Sequence, residues 1–227
     1  MRTRDPLLPS LVALTVATGL VDAISFLGLG HVFVANQTGN VVFLAFGVAG
    51  ASGVSASAAL VSLLCFAAGS AGGGLLARRQ ETHQRRWILG AFGGETTLVL
   101  AATLAAIGVG IGEPSARRDL VIGLLALAMG LRNATVRKLG VPDLTTTVLT
   151  MTLTGLSSDR PLGDGRGATS ARRAGSVAAM FLGAVVGGLL IVHGHLIPAM
   201  ALLCAIVLAT LAAYAAHPGP RARQAAA

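Results

Sequence analysis

Long apolar runs separated by short basic or glycine-rich stretches set the architecture. Six of them approach the ~20 residues that a helix needs to cross a bilayer: Leu8 to Leu29, Ala56 to Ala77, Trp87 to Ile111, Leu120 to Val136, Ala174 to Val192 and Leu196 to Ala216. Two further stretches, Val32 to Gly53 and Leu144 to Leu156, each join a polar Thr/Asn-containing element to a short apolar run. After Asn40 the first keeps about eleven apolar or small residues, near half a bilayer at ~1.5 Å per residue, and the second is no longer. Both read as broken or re-entrant helices. The pattern predicts an all-α polytopic membrane protein, one membrane domain over 1–227, with about six transmembrane helices and two partial segments. Eight full crossings is the alternative.

Polar groups interrupt this pattern at few places. Asp22 lies inside the first run, where a carboxylate is costly and marks a candidate functional site. Thr15, Thr18, Gly19, Asp22 and Ser25 share one helical face, and Leu14, Val16, Leu20, Ile24 and Leu27 fill the remainder. That face is expected to look toward protein. Glu95 lies about two turns into the third span, between Gly93-Gly94 and Thr96-Thr97. It is placed to pair with Arg132 or to relay a proton, or else to sit at the interface as a snorkelling acid.

Composition fixes the class more firmly. With 54% hydrophobic and 11% charged residues and a mean hydropathy of +0.76, the chain departs from soluble domains, whose charged share is about a quarter. The net charge of +8 is split into short clusters between apolar runs, which excludes one basic patch for nucleic acid and reads as topology signals. Arg2 and Arg4 precede the first run as in a leader, but its length and Asp22 predict a first span. With six crossings, the N-terminus, Arg78 to Arg86, Arg137 to Arg173, and Arg221 with Arg223 share one side, which is then cytoplasmic, with Arg132 snorkelling toward it. Only Arg117 and Arg118 of the 17 basic residues then lie outside. Eight crossings would move the four arginines of Arg78 to Arg86 outside. Cys65 and Cys204 lie in apolar segments without metal-ligand spacing and read as free thiols. His31, His193 and His195 fall near predicted outer ends and read as solvated, so no metal or other cofactor is expected.

The chain also echoes itself. Gly19, Leu20, Asp22 and Ala23 match Gly130, Leu131, Asn133 and Ala134 at a shift of 111, and Thr38 matches Thr150 at 112. Gly73, Gly74, Leu75 and Leu76 match Gly187, Gly188, Leu189 and Leu190 at 114. Candidate repeats are 8–111 and 120–216, and three crossings per half would invert one against the other. The glycine runs Gly69 to Gly74 and Gly183 to Gly188 suit close helix packing.

Gly19-x-x-Asp22-Ala23, Phe33-Val-Ala-Asn36-Gln-Thr38-Gly39-Asn40, Gly130-Leu-Arg-Asn133-Ala134 and Thr146-Thr147-x-x-Thr150 together resemble the YoaK family of small bacterial multi-pass membrane proteins. The resemblance covers nearly the whole chain and departs at Met151, where the pattern usually has glycine. It implies a multi-pass protein of the bacterial cell membrane and carries no activity, since the family is a domain of unknown function.

Physical chemistry suggests what the polar string does. Gly39 frees the backbone, and Thr38 or Asn40 is placed to cap a helix starting near Val41, leaving N–H groups and a positive dipole end at membrane depth. Transporters with inverted repeats use such ends for solutes or ions; alternatively the polar groups satisfy their own backbone in a shielded turn. Thr146, Thr150 and Thr154 read as bonding their own helix. The candidate substrate or ion site is Asp22, Asn36, Thr38, Gly39, Asn40, Glu95, Asn133 and Thr150. The leading expectation is a small-solute or ion transporter with a polar site at the repeat interface. A non-transporting structural or regulatory membrane protein is the second. No nucleophile–base–oxyanion set or His-Glu-x-x-His motif points to an enzyme. The expected partners are the lipid bilayer and an unidentified small solute or ion, not nucleic acid.

Overall fold

The computed structural model describes residues 7–79, 83–140 and 167–217. Among them run seven α-helices: α1 Leu7–Ala23, continued by a π-helical turn Ile24–Gly28; α2 Gln37–Val48; α3 Ala56–Arg79; α4 Gln84–Ala105; α5 Ala116–Leu139; α6 Gly167–Val192; and α7 Leu196–Ala216. The chain is an all-α polytopic membrane protein. Six helical spans are long and apolar enough to cross, each close to the run the sequence predicts. The other, α2, has 12 residues and rises only about 18 Å, short of a ~30 Å hydrocarbon core. The second expected break, Leu144 to Leu156, lies outside the described residues.

Local chemistry sets several helix ends. Ser115 opens α5 by accepting the Arg118 amide at 3.1 Å, and Gly140 closes it in the left-handed region at φ 63°. Arg137 and Lys138 occupy its last turn, where cations oppose the helix dipole. At the far end of α1 the π turn gives way to Gly30 at φ 105° and His31 at φ 57°, a reversal that sends 32–36 back alongside α1.

Glycine decides how the long helices meet. A Cβ on Gly19 would collide with the Met180 carbonyl, and one on Gly183 with the Val16 carbonyl, so α1 and α6 touch backbone to backbone. The same seam recurs between α5 and α3, where Gly130 faces the Phe66 carbonyl and Gly69 the Leu127 carbonyl. One turn along, Gly187 sits against Ala23 and the Leu20 carbonyl, as Gly73 sits against Ala134 and the Leu131 carbonyl. Lipid gives helices no hydrophobic reason to associate, so this close van der Waals contact is what holds them. The result puts α1 and α5 at the centre: 72% and 56% of their spans are buried, against 22% for α3. Outward-facing Leu64, Phe181 and Leu189 are exposed, as a bilayer requires.

Contacts between helix ends fix which ends share a side. The Gly112 amide donates to the Gly28 carbonyl at 2.9 Å, so the end of α1 lies beside the loop from α4 to α5. Arg85, in the first turn of α4, donates from Nη2 to the Ala215 and His217 carbonyls at 2.9 and 3.0 Å, capping α7 on the opposite side. A full crossing by the Val32 to Gly53 segment would separate the end of α1 from the end of α4. Its return on one side keeps them together.

Candidate functional site

Asp22 occupies the last turn of α1, is 5% exposed, and faces the returning chain. Its Oδ1 accepts the Ala35 amide at 2.9 Å, and the Val34 and Asn36 amides also face the carboxylate. Three successive N–H groups converging on one anion form a nest. The Ser25 hydroxyl donates to the Asp22 carbonyl at 3.2 Å at the start of the π turn.

Asn40 closes the other flank. Fully buried, it accepts the Phe33 amide through Oδ1 at 2.9 Å, while Nδ2 donates to the Phe33 carbonyl at 2.5 Å, Gln37 Oε1 at 2.8 Å and Ser62 Oγ at 3.1 Å. Ser62 of α3 donates to the Phe33 carbonyl at 2.7 Å, and Gln37 to the Val34 carbonyl at 3.0 Å. Backbone that has left the helix at membrane depth is thereby satisfied from within the protein, as hydrocarbon demands. Phe33 also clusters with Phe26 and Phe43, their centroids 5.0 and 5.8 Å from it and 6.0 Å from each other.

Glu95 and Arg132 meet where α1, α4 and α5 converge. Glu95 is 0% exposed and Arg132 5%. Arg132 donates to Glu95 Oε1 from both Nε, at 2.7 Å, and Nη2. Its Nη1 bonds the Leu14 carbonyl and Thr18 Oγ1, each at 3.0 Å. Both donors fall on one carboxylate oxygen, and the buried Oε2 has no hydrogen-bond partner among the described residues. Asp22 lies one turn beyond Thr18, the residue that accepts from Arg132 Nη1, on the same face of α1.

The structure regroups the residues the sequence singles out. Asp22 and Asn40 meet on the backbone of 33–36, and Glu95 with Arg132 forms a second cluster linked to α1 through Thr18. Asn36 and Thr38 are exposed and do not share the buried face of Asp22. The helix begins at Gln37 and not near Val41, so Thr38 and Asn40 lie inside its first turn and neither is its cap. The reason is local: Asn36, at φ −95° and ψ 79°, ends the extended chain, and Asn40 reaches back to Phe33. Gly39 serves contact more than freedom, because a Cβ there would lie 2.9 Å from the Phe33 ring. Asn133 is half-buried on α5 and donates to the Met129 carbonyl at 2.9 Å. Thr150, with Thr146 and Thr154, lies outside the described residues. Arg132 does not snorkel toward an interface: its guanidinium turns into the bundle because Glu95, Leu14 and Thr18 supply acceptors there. Ser62 and Gln37 escaped the sequence reading; a single serine within the apolar run Ala58 to Cys65 is the one signal for the former.

Six crossing helices around a hydrogen-bonded helix break and a buried ion pair define a polytopic integral membrane protein with polar chemistry at its centre. The chain belongs to the family described as "Protein of unknown function (DUF1275)", whose model matches residues 10–214. It is 32% identical over 156 residues to the UPF0700 transmembrane protein YoaK of Bacillus subtilis (strain 168), a match covering 66% of this chain and 64% of that relative. The YoaK-like membership expected from the motifs therefore holds. No solved structure matches the chain.

Proposed function

We propose that this protein is a small-solute or ion transporter of the bacterial cell membrane, built from two inverted halves, 8–111 and 120–216, and not an enzyme. The observation that carries this reading is the Glu95–Arg132 pair: two charges held in the centre of the bundle, one carboxylate oxygen of which has no partner among the described residues. Charges inside a membrane bundle are costly and typically serve a pathway or a relay. The matching glycine seams of α1 with α6 and of α5 with α3 support the duplication, with the first helix of each half packed on a helix of the other. Arginine placement supports cytoplasmic termini, with Gly112 outside; labelling of single cysteines with a charged thiol reagent tests this, and an outside location for Gln80 overturns it.

One observation favours the second reading, a structural or regulatory membrane protein. The polar groups of the break are spent on their own backbone, with Asp22 on Ala35 and Asn40 on Phe33. The deciding experiment is flux into proteoliposomes of purified protein, using alkali cations, amino acids and small polyols as probes. The transporter reading expects uptake of at least one probe above protein-free liposomes, abolished by Glu95→Gln. Uptake equal to protein-free liposomes for every probe supports the structural reading.

A further inference from the structure

We propose that Asp22, Arg132 and Glu95 form one buried site that binds a single exchangeable proton, the guanidinium being shared between the two carboxylates. The site deepens the transporter reading and, as a coupling device, rests on it.

The first argument is a charge count. Two carboxylates and one guanidinium leave the cluster one negative charge in excess when all are ionised. Asp22, Glu95 and Arg132 come from α1, α4 and α5, and among the described residues the helices packed around them supply no further cation beside the two acids, Arg85 and Arg86 lying in the first turn of α4 and Arg137 and Lys138 in the last turn of α5. Between Leu196 and Ala216, α7 has only Cys204 and Tyr214 as titratable groups. Over 174–192, α6 has none; α2 has none; and α3 brings Cys65, its Arg78 and Arg79 lying in the last turn. His31, Arg118 and Asp119 lie at the end of α1 beyond Gly28, where Arg118 packs on Gly30 and is already paired with Asp119 at 2.8 Å. An excess charge in a low-dielectric interior is expensive, and a proton removes it.

The second argument is geometric. A guanidinium and a carboxylate usually meet fork to fork, using both oxygens. Here both donors fall on Oε1, and Oε2 is left without a partner at zero exposure. The remaining nitrogen of Arg132 is held on α1 by the Leu14 carbonyl and Thr18 Oγ1, about 6 Å along the helix from Asp22. The guanidinium therefore stands between two acids. The Ala35 amide donates to Asp22, and Nε and Nη2 of Arg132 donate to Glu95, so each acid has its own donor and the guanidinium lies on the α1 face that carries Asp22. The chemistry is one proton transferred from hydronium to a carboxylate oxygen, giving a neutral acid and water, with Arg132 cationic throughout. Because Asp22 also grips the amides that precede α2, placing the proton there loosens the helix break, whereas placing it on Glu95 frees Arg132 toward Asp22.

Infrared difference spectroscopy of the purified protein in detergent, titrated with acid in water and in deuterium oxide, reads the site directly. The expected result is a deuterium-sensitive carboxylic-acid band equal to one acid per chain, lost in both Asp22→Asn and Glu95→Gln, since each leaves one carboxylate balanced by Arg132. A band of full size in either variant overturns the proposal. So does a midpoint that moves when sodium or potassium chloride replaces choline chloride, which makes the occupant a metal cation. Should Glu95→Gln fail to fold, Thr18→Val takes its place. It strips the guanidinium of one anchor without titrating itself, so a displaced midpoint is expected and an unchanged one overturns the shared site. The measurement needs no flux: the band pattern without transport removes the transporter reading alone, and transport without the band pattern removes this proposal alone.

Discussion

Two polar clusters lie one helical turn apart on α1, and they are built on opposite terms. Around Asp22 and Asn40 the side chains spend themselves on the backbone of 33–36, so that the break is closed from within. Around Glu95 and Arg132 the partners are side chains from separate helices together with one carbonyl of α1, and one carboxylate oxygen keeps no partner among the described residues. Polarity at membrane depth therefore has two meanings. In the first cluster it is the condition for leaving the helix at all; in the second nothing in the backbone requires it, and a charge pair there stabilises less than well-packed apolar side chains of similar volume commonly do. On the proposed transporter reading the unrequired pair carries the activity, whereas the required polarity chiefly holds a shape.

The comparison breaks most readily at Arg132. Arg132→Met leaves Glu95 fully buried beside no cation and is expected to cost about 3–5 kcal/mol, seen as loss of the monodisperse peak in detergent chromatography. The double variant Arg132→Met/Glu95→Met removes both charges and should regain most of that stability. Equal behaviour of single and double variants would show that the two charges do not compensate each other.

A smaller effect is expected in the first cluster. Asn40→Leu removes the acceptor for the Phe33 amide, while the Phe33 carbonyl keeps Ser62. One buried donor left without a partner costs about 1–3 kcal/mol. Hydrogen exchange followed by mass spectrometry should show faster exchange confined to 33–37, with the long helices unchanged. Exchange that spreads into α1 and α3 would mean that the break organises the bundle and does not merely close itself.

Much of this was legible in the sequence, for identifiable reasons. Crossing helices announce themselves because a bilayer imposes length and apolarity on contiguous residues, and the runs Ala174 to Val192 and Leu196 to Ala216 coincide with the observed spans. Gly69, Gly73, Gly183 and Gly187 were legible as packing residues because close approach leaves glycine few substitutes. The sequence places the start of α2 near Val41, four residues late, since a helix beginning at Gln37 depends on Asn40 bonding backward to Phe33, a contact that composition does not encode. The pairing of Arg132 with Glu95 is legible in the sequence and holds, whereas its snorkelling toward the cytoplasmic side does not, because Arg132 lies more than a turn deeper in α5 than Arg137 and Lys138. Its true surroundings come from α1 and α4, at sequence separations above a hundred and of 37 residues.

Asp22 stands between the clusters, and the smallest effect on stability is expected from its mildest substitution. Asp22→Asn keeps an acceptor for the Ala35 amide and loses only the charge. Its cost should be under about 1 kcal/mol, whereas Asp22→Leu leaves the amides of 34–36 without an acceptor and should cost about 1–3 kcal/mol. Thermal unfolding in detergent should therefore rank wild type and Asp22→Asn together, above Asp22→Leu. Equal loss in both variants would mean that the negative charge itself holds the nest, moving Asp22 wholly into the shape-holding cluster. If Asp22→Asn instead folds as wild type but loses acid-dependent uptake in proteoliposomes, the residue belongs to both: its oxygen holds the break, and its charge answers to Arg132.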